Sequence, residues 1–371
     1  MGQRLAILTE GQTHPLSAKT AVSLLRYRGD EVVGLIDSEH AGRTTGERLG
    51  CGGRTPIVAS LDDLEALGGA RTLVIGVAPA GGRLPEAMRR VVLDAAERGL
   101  DLTSGLHQFL SSDPEIVAAA ARGGGTILDL RRTQEQAVAD RRGLREGCLK
   151  IHTVGHDCSC GKMVASVELA RALQAAGHDA KFVPTGQTGI LVAPGINRSL
   201  AMSHDERDDP TSGGTPIDAV VADFVNGAAE RLVKRNQHHD ILVIEGQASL
   251  AHPSYSSVTY GLLRGTGPDG LVLCYEAARP HLHGRPHLPL TPLPVIKRLY
   301  EYVANLDQPC RFIGVAMNSR RLADDAAVEA ERRRVEDELG LPVCDVYREG
   351  PGVLVEAALQ LGTALGKGPG C

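Results

Sequence analysis

Short apolar runs alternate with amphipathic stretches along most of the chain. Residues 5–9 (Leu-Ala-Ile-Leu-Thr) read as a strand, and residues 17–28 carry an apolar stripe at helical spacing. Residues 32–37 give a second strand that ends in Asp37. Residues 72–77 form a continuous apolar run, the mark of a strand buried on both faces. A Gly- and Pro-containing turn follows, then a helix from about Pro85, then strands over 102–105 and 126–130. This β-α-β-α order predicts a doubly wound parallel sheet. Residues 131–147 are polar and charged with a helical pattern, and the domain boundary is placed there. The expected division is 1–135, a linker 136–148, and 149–371.

The second half repeats the alternation. Residues 149–154 read as a strand, a Gly-flanked loop follows, and residues 164–176 read as a helix with Val164, Val167, Leu169, Ala170 and Leu173 on its apolar face. Residues 240–245, 271–275 and 312–318 are further buried strands. The expected fold class is α/β: a Rossmann-like doubly wound N-terminal domain followed by a P-loop NTPase-like α/β domain.

Composition agrees. The 371 residues include 44 Gly, 4 Phe, 7 Tyr and no Trp, which suits tight strand-to-helix turns and aliphatic packing rather than an aromatic-cored sandwich or propeller. The net charge of −5 gives no bulk argument for nucleic acid. No run of about 18 apolar residues exists to span a membrane, and the N-terminus lacks a signal-peptide pattern. A cytoplasmic protein with free thiols is therefore expected. Of the eight cysteines only Cys158 and Cys160 are close, and their C-x-C spacing is not that of a zinc site.

In the first half, Asp37 stands where dinucleotide-binding folds place a ribose-binding acid. The first turn, Glu10-Gly11-Gln12-Thr13-His14-Pro15, is not G-x-G-x-x-G, so a support domain is the plainer reading. Arg43, Arg48 and Arg54 could hold an anion, but a solvated loop explains them equally simply.

The strongest chemical signal is Gly155-His156-Asp157-Cys158-Ser159-Cys160-Gly161-Lys162-Met163, set between a strand and a helix. Backbone N–H groups and a helix N-terminus hold phosphate oxygens there, and the lysine neutralises outer phosphates. The spacing is one residue longer than the standard loop, and Met163 stands where a magnesium-binding hydroxyl is usual. Ser159 and Ser166 are nearby hydroxyls, neither at the expected position. Asp157 is a candidate to orient a magnesium-bound water or a substrate amine. Cys158 or Cys160 would serve as a nucleophile if its pKa were lowered by the helix N-terminus and Lys162. With no partner base identifiable, loop packing is the plainer reading of both.

Glu245 ends the next buried strand, where an acid opposite a phosphate loop binds magnesium directly or through water. Glu245 and Asp157 are thus the metal candidates. The polar loop after it, with His252 and Tyr255, suits substrate contact. Asn318 ends a later strand, a common place for a base-reading amide. His281, His283 and His287 lie in a Pro-containing segment that reads as an exposed loop rather than a metal site.

Several segments resemble the domain of unknown function 1611 family. They are residues 155–163, Pro184-Thr-Gly-Gln-Thr-Gly189, residues 217–230 and Glu245-Gly-Gln-Ala-Ser-Leu-Ala-His-Pro253, with Gly76-Val-Ala-Pro-Ala-Gly-Gly82 and Ser104-Gly-Leu-His-Gln-Phe-Leu110 in the first half. The resemblance implies a Rossmann-like domain followed by a P-loop domain like that of dethiobiotin synthetase. It also implies D-glutamate N-acetyltransferase activity with acetyl-CoA. Carried over by motif, Lys162 and the loop backbone bind phosphates, and Thr185, Gln187, Thr188, Asp218, Asp223, Glu245, Gln247, His252 and Tyr255 line the site. The chain departs from the family pattern at His156, at Val164 and Ala165, and in about fifteen extra residues near 197–214.

The favoured reading is a CoA-dependent N-acyltransferase acting on a small amino-acid-type substrate. In it the loop grips the CoA diphosphate, and Asp223 or Glu245 deprotonates the amine. The catalytic candidates are Lys162, Asp157, Asp223 and Glu245. The alternative is an enzyme using ATP with Mg2+, either a carboxylate-amine ligase or a small-molecule kinase. A nucleotide-sensing protein comes third. A homo-oligomer is expected from the architecture, with no nucleic-acid or membrane partner.

Overall fold

The computed structural model describes residues 4–79, 81–193 and 214–370. They form two compact units, residues 4–133 with 190–193, and residues 134–189 with 214–370. The extra residues near 197–214 lie, except for Gly214, outside the described residues. Both units are parallel-sheet α/β, as the alternation requires.

In the first unit the strands are β1 (Leu5–Leu8), β2 (Val32–Ile36), β3 (Ile57–Val58), β4 (Thr72–Ile75), β5 (Asp101–Ser104) and β6 (Ile127–Asp129). Their order is β3-β2-β1-β4-β5-β6, with all neighbours parallel. The order reverses between β1 and β4, the Rossmann switch point. Asp37 does not face an open crevice there. It is fully buried, its Oδ1 accepts the Glu39 N–H at 3.0 Å, and its Oδ2 meets the Thr13 hydroxyl and His40 Nδ1. Arg48 hydrogen-bonds His40 Nε2 at 2.7 Å, while Arg43 and Arg54 are exposed. Asp37 thus closes its own turn.

In the second unit β7 (Leu149–Gly155), β8 (Ala180–Val183), β9 (Ile241–Ile244) and β10 (Gly270–Glu276) precede a hairpin of β11 (His281–Leu282) and β12 (Arg285–Pro289), then β13 (Arg311–Asn318) and β14 (Val343–Cys344). The main sheet runs β14-β13-β10-β7-β9-β8, all parallel. β7, β9 and β10 are buried along their whole length, β9 as an unbroken apolar run and β7 despite carrying Lys150, His152 and Thr153. Tyr300 is fully buried and meets Phe312 edge-on, centroids 6.5 Å apart.

The segment after Thr133 corrects the helical expectation: residues 134–147 form no helix. Their backbone donors are taken up elsewhere. The N–H groups of Asp140 and Arg141 bond the buried carboxylate of Glu230, on the helix Val225–Asn236, at 3.2 and 3.0 Å. Arg145 gathers the carbonyls of Gln237, His238 and His239 just past that helix's end. At the crossing, a Cβ on Gly227 would overlap the Ala137 carbonyl. Gly227→Ala is expected to destabilise the protein by about 2 kcal/mol and to speed tryptic cleavage at Arg141 and Arg142. Denaturant unfolding and limited proteolysis check this; an unchanged cleavage rate would remove Gly227 as the anchor.

No helix among the described residues is long and apolar enough to cross a membrane. The seven described cysteines are all free.

Candidate active site

Parallel strands deliver their carboxyl ends to one edge of the sheet, where ligands bind in open α/β folds. In the second unit that edge carries Gly155 on β7, Glu245 just past β9, Glu276 on β10 and Asn318 on β13. Pairing puts Cys274 beside Gly155 and Glu276 beside Asn318.

The loop after β7 curls through two left-handed residues, Ser159 at φ 56° and Gly161 at φ 111°, before the helix Lys162–Ala175. Such a turn aims backbone N–H groups inward, next to a helix N-terminus. Lys162 folds back into this curl. Its Nζ donates to the Asp157 carbonyl at 2.7 Å and lies 3.7 Å from Cys160 Sγ. Burial opposes the charge, but coupling to Cys160, Cys158 and Tyr300 outweighs it and holds the ammonium above the ordinary lysine value. Gly155 must be glycine: a Cβ there would meet both Lys162 Nζ and the Ala248 carbonyl at 2.5 Å. Its own carbonyl accepts the Tyr300 hydroxyl at 2.9 Å, so the buried aromatic steadies the start of the loop.

From the other side the loop is held by Arg279, which the sequence reading missed. Its guanidinium donates to Asp157 Oδ2 at 2.9 Å and to the carbonyls of Cys158 and Ser159 at 2.7 and 3.0 Å, and it pairs with Glu276. The His283 N–H adds a 2.6 Å bond to Asp157 Oδ2. One signal was available: Glu276 is a buried strand-end acid of the kind already noticed in Glu245. Arg279→Lys would lose the bonds to the two loop carbonyls. A cost of about 2 kcal/mol and a melting temperature several degrees lower are expected, measured by calorimetry. An unchanged melting temperature would show that the loop does not depend on the staple.

Glu245 sits on the β9 side of the loop. Its Oε2 accepts the N–H groups of Thr185 and Gly186 at 2.9 and 3.1 Å. The Thr185 hydroxyl donates to the Glu245 carbonyl, and Gln247 Nε2 donates to the Thr185 carbonyl at 2.6 Å. Burial pushes the Glu245 carboxyl up to about 7; the two N–H groups and Lys162 pull against this, and Asp218 adds to it. Ser166 is not free for a metal: it pairs with the Thr153 hydroxyl at 2.8 Å and bonds the Lys162 carbonyl.

Asp157 Oδ1 is buried and accepts no hydrogen bond among the described residues. His252 Nε2 lies 4.0 Å from it. His252 Nδ1 accepts the Ser254 N–H at 3.1 Å, so a neutral ring carries its proton on Nε2, facing the loop. Burial lowers the His252 pKa, Asp157 opposing. Tyr255 is exposed and stacks on His252, centroids 4.8 Å apart. Arg285, on the hairpin, holds the Ser254 hydroxyl at 2.7 Å. Donor atoms of Asp157, Cys158 and His252 come within 4.8 Å of one another.

The structure thus brings together Gly155, Asp157, Cys158, Cys160, Gly161, Lys162, Glu245 and His252, with Thr185, Asp218 and Gln247 around Glu245. Asn318 adjoins the loop, its Nδ2 4.0 Å from where a Gly161 Cβ would stand. His156 is buried, its N–H on the Cys274 carbonyl at 2.9 Å and its Nε2 on the Thr291 carbonyl at 2.5 Å; it anchors the loop base. Met163 and Thr188 are half-buried, and Gln187 is buried at the start of the short helix Gln187–Val192. Asp223 is exposed and makes no hydrogen bond or ion pair to the others among the described residues. His281, His283 and His287 are exposed on the hairpin, and no three metal-ligating groups of that segment converge among the described residues.

Two family descriptions match the chain. Residues 38–133 match a domain of unknown function, DUF1611_N, described as a Rossmann-like domain. Residues 137–203 and 210–355 match DUF1611_C, described as a P-loop domain. The chain belongs to the DUF1611 family. A solved DUF1611 family protein from Anabaena variabilis is 36% identical and superposes with a TM-score of 0.84, covering 97% of this chain and 100% of that one. The chain is 37% identical over 350 residues to a Tritonibacter scottomollicae protein named D-glutamate N-acetyltransferase, covering 92% of this chain and 94% of that protein. It is 31% identical over 344 residues to a protein of the same name from Pseudoalteromonas sp., covering 92% and 95%. The DUF1611 assignment agrees with both halves of the fold, and the relatives' names point to an enzyme.

Proposed function

We propose that this DUF1611 protein transfers an acetyl group from acetyl-CoA to the amine of an acidic amino acid of the D-glutamate type. The observation that carries the reading is Glu245, a buried carboxyl poised at about 7 beside the phosphate loop. An ammonium substrate needs a base of that strength at neutral pH. The residues suit the cofactor: the curled loop offers N–H groups, and the Gly155 cradle admits Lys162 beneath them. Lys162 and the loop backbone would hold the CoA diphosphate. Acetyl-CoA supplies an activated acyl group when bound. Glu245 takes the amine proton. Neutral His252, with its N–H on Nε2, would hold a carbonyl oxygen, and Arg285 beside it would balance a substrate carboxylate. Met163, in place of a hydroxyl residue, fits a loop that binds phosphates without a magnesium ligand at that position. The names of the two curated relatives support the same reaction. An enzyme drawing on acetyl-CoA would work in the cytoplasm.

A second reading, ATP with Mg2+ activating a carboxylate, is favoured by two observations. Glu245 faces Lys162 across the loop, and Asp157 keeps a buried oxygen open. The two separate in one assay. Purified protein is given D- and L-amino acids with acetyl-CoA alone, or with ATP and magnesium. CoA release with D-glutamate and no nucleotide is expected. ADP or AMP formation without CoA release would overturn the acetyl-transfer reading.

A further inference from the structure

We infer that Arg320 and Arg321 form a second anion subsite beside the loop, which reads the ribose 3′-phosphate of coenzyme A. The inference rests on the acetyl-CoA reading above. It begins with Glu276. That carboxylate is shielded from solvent, yet three guanidiniums converge on it. Arg279 pairs with Oε2, while Arg320 and Arg321 both donate through Nε to Oε1, Arg321 at 3.0 Å. Arg279 has Asp157 as a second partner; the other two share one oxygen.

Each of Arg320 and Arg321 therefore keeps both terminal amino groups. None of these donates to a protein acceptor among the described residues, and the two side chains are 41% and 47% exposed. Two forks held on one carboxylate oxygen, half-exposed and with their terminal amino groups unspent, match a phosphate dianion, and without one the like charges repel. Their backbone is fixed. The Arg320 N–H bonds Asn318 Oδ1 at 3.2 Å, and the Ser319 N–H bonds Asp345 Oδ2 at 3.1 Å.

Sheet order says which part of a ligand arrives there. β9, with Glu245 at its end, flanks β7 on one side; β10 and then β13 flank it on the other. Asn318 and Tyr347 border the loop at Gly161 on that second side. With a diphosphate in the loop and the amine at Glu245, the nucleoside end runs toward Asn318 and the arginine pair. A substrate carboxylate has a cation of its own in Arg285, which holds Ser254 beside His252. The anion is thus a phosphate on the ribose, which coenzyme A carries and ATP does not.

The test is calorimetric titration with CoA and with 3′-dephospho-CoA, on the wild type and on the Arg320→Gln/Arg321→Gln protein. Glu276 stays paired with Arg279 in the variant, and its melting temperature checks folding; Arg321→Gln alone is the milder second variant. The wild type should prefer CoA by about tenfold or more, and the double variant should bind both ligands alike, with unchanged affinity for dephospho-CoA. Equal wild-type affinities would overturn the inference while leaving acetyl transfer intact. So would a preference that survives in the double variant, or a raised KM for the amino acid instead. Failure of the wild type to bind either ligand would overturn the acetyl-CoA reading and this inference with it.

Discussion

Lys162→Met is expected to lower kcat/KM for acetyl-CoA on the order of a thousandfold, about 4 kcal/mol of transition-state stabilisation. The ammonium is buried inside the loop, and in the acetyl-CoA reading it meets the CoA diphosphate. Its pKa, held above the ordinary lysine value, keeps it charged throughout the working range. Methionine preserves the stem that packs beneath Gly155 and removes the charge, the bond to the Asp157 carbonyl and the weak contact with Cys160 Sγ. Loss of that bond costs about 1 kcal/mol, so the variant should remain folded. Lys162→Arg should not restore activity, because the Gly155 cradle has no room for a planar guanidinium. Initial rates with acetyl-CoA varied, read beside a melting curve, decide the matter. Full activity in Lys162→Met would remove the phosphate loop from the reading.

Glu245→Gln should lower kcat about a hundredfold to ten-thousandfold and abolish the acid limb of the pH profile. In the wild type the rate should rise with pH and level off above about 7, as the buried carboxyl loses its proton. Glutamine can still accept the Thr185 and Gly186 N–H groups, so the geometry of the turn is kept. Stability gives an independent readout. Because burial raises the folded pKa above the ordinary value of 4.5, the group's contribution to stability is fully present below about pH 4.5 and is lost as pH rises through about 7. Between pH 5 and 8 the variant should therefore lose less stability than the wild type in denaturant titrations. An unchanged acid limb in the variant would assign the base elsewhere.

The fate of individual residues shows how far the sequence could be read. Gly155 and Glu245 were legible because each sits at the end of a buried strand, where parallel α/β sheets collect ligand-binding groups, and Lys162 because it opens a helix after a glycine-flanked loop. His252 and Asn318 were legible for the same reason, by their place after a strand. Arg279, Arg320 and Arg321 were not. Their importance comes from meeting one carboxylate, Glu276, and nothing in the spacing of residues 276, 279, 320 and 321 announces that meeting. Asp223 and His156 illustrate the converse. One is exposed on the 3-10 helix Ala222–Phe224 and the other anchors the loop's base, although both lie within the motifs that carry the family resemblance. The stretch 134–147 has a helical rhythm, yet Glu230 captures the backbone donors a helix would use.

The sequence by itself determined two parallel α/β domains, a phosphate loop and the acid beside it, because hydrophobic periodicity and glycine placement are local and survive in one dimension. The tertiary structure decided the rest. Which carboxylate is driven toward neutrality by burial, which histidine nitrogen carries the proton, and which arginines are left with unspent donors all depend on distances between strands. Those distances exist only once β9, β7, β10 and β13 lie side by side.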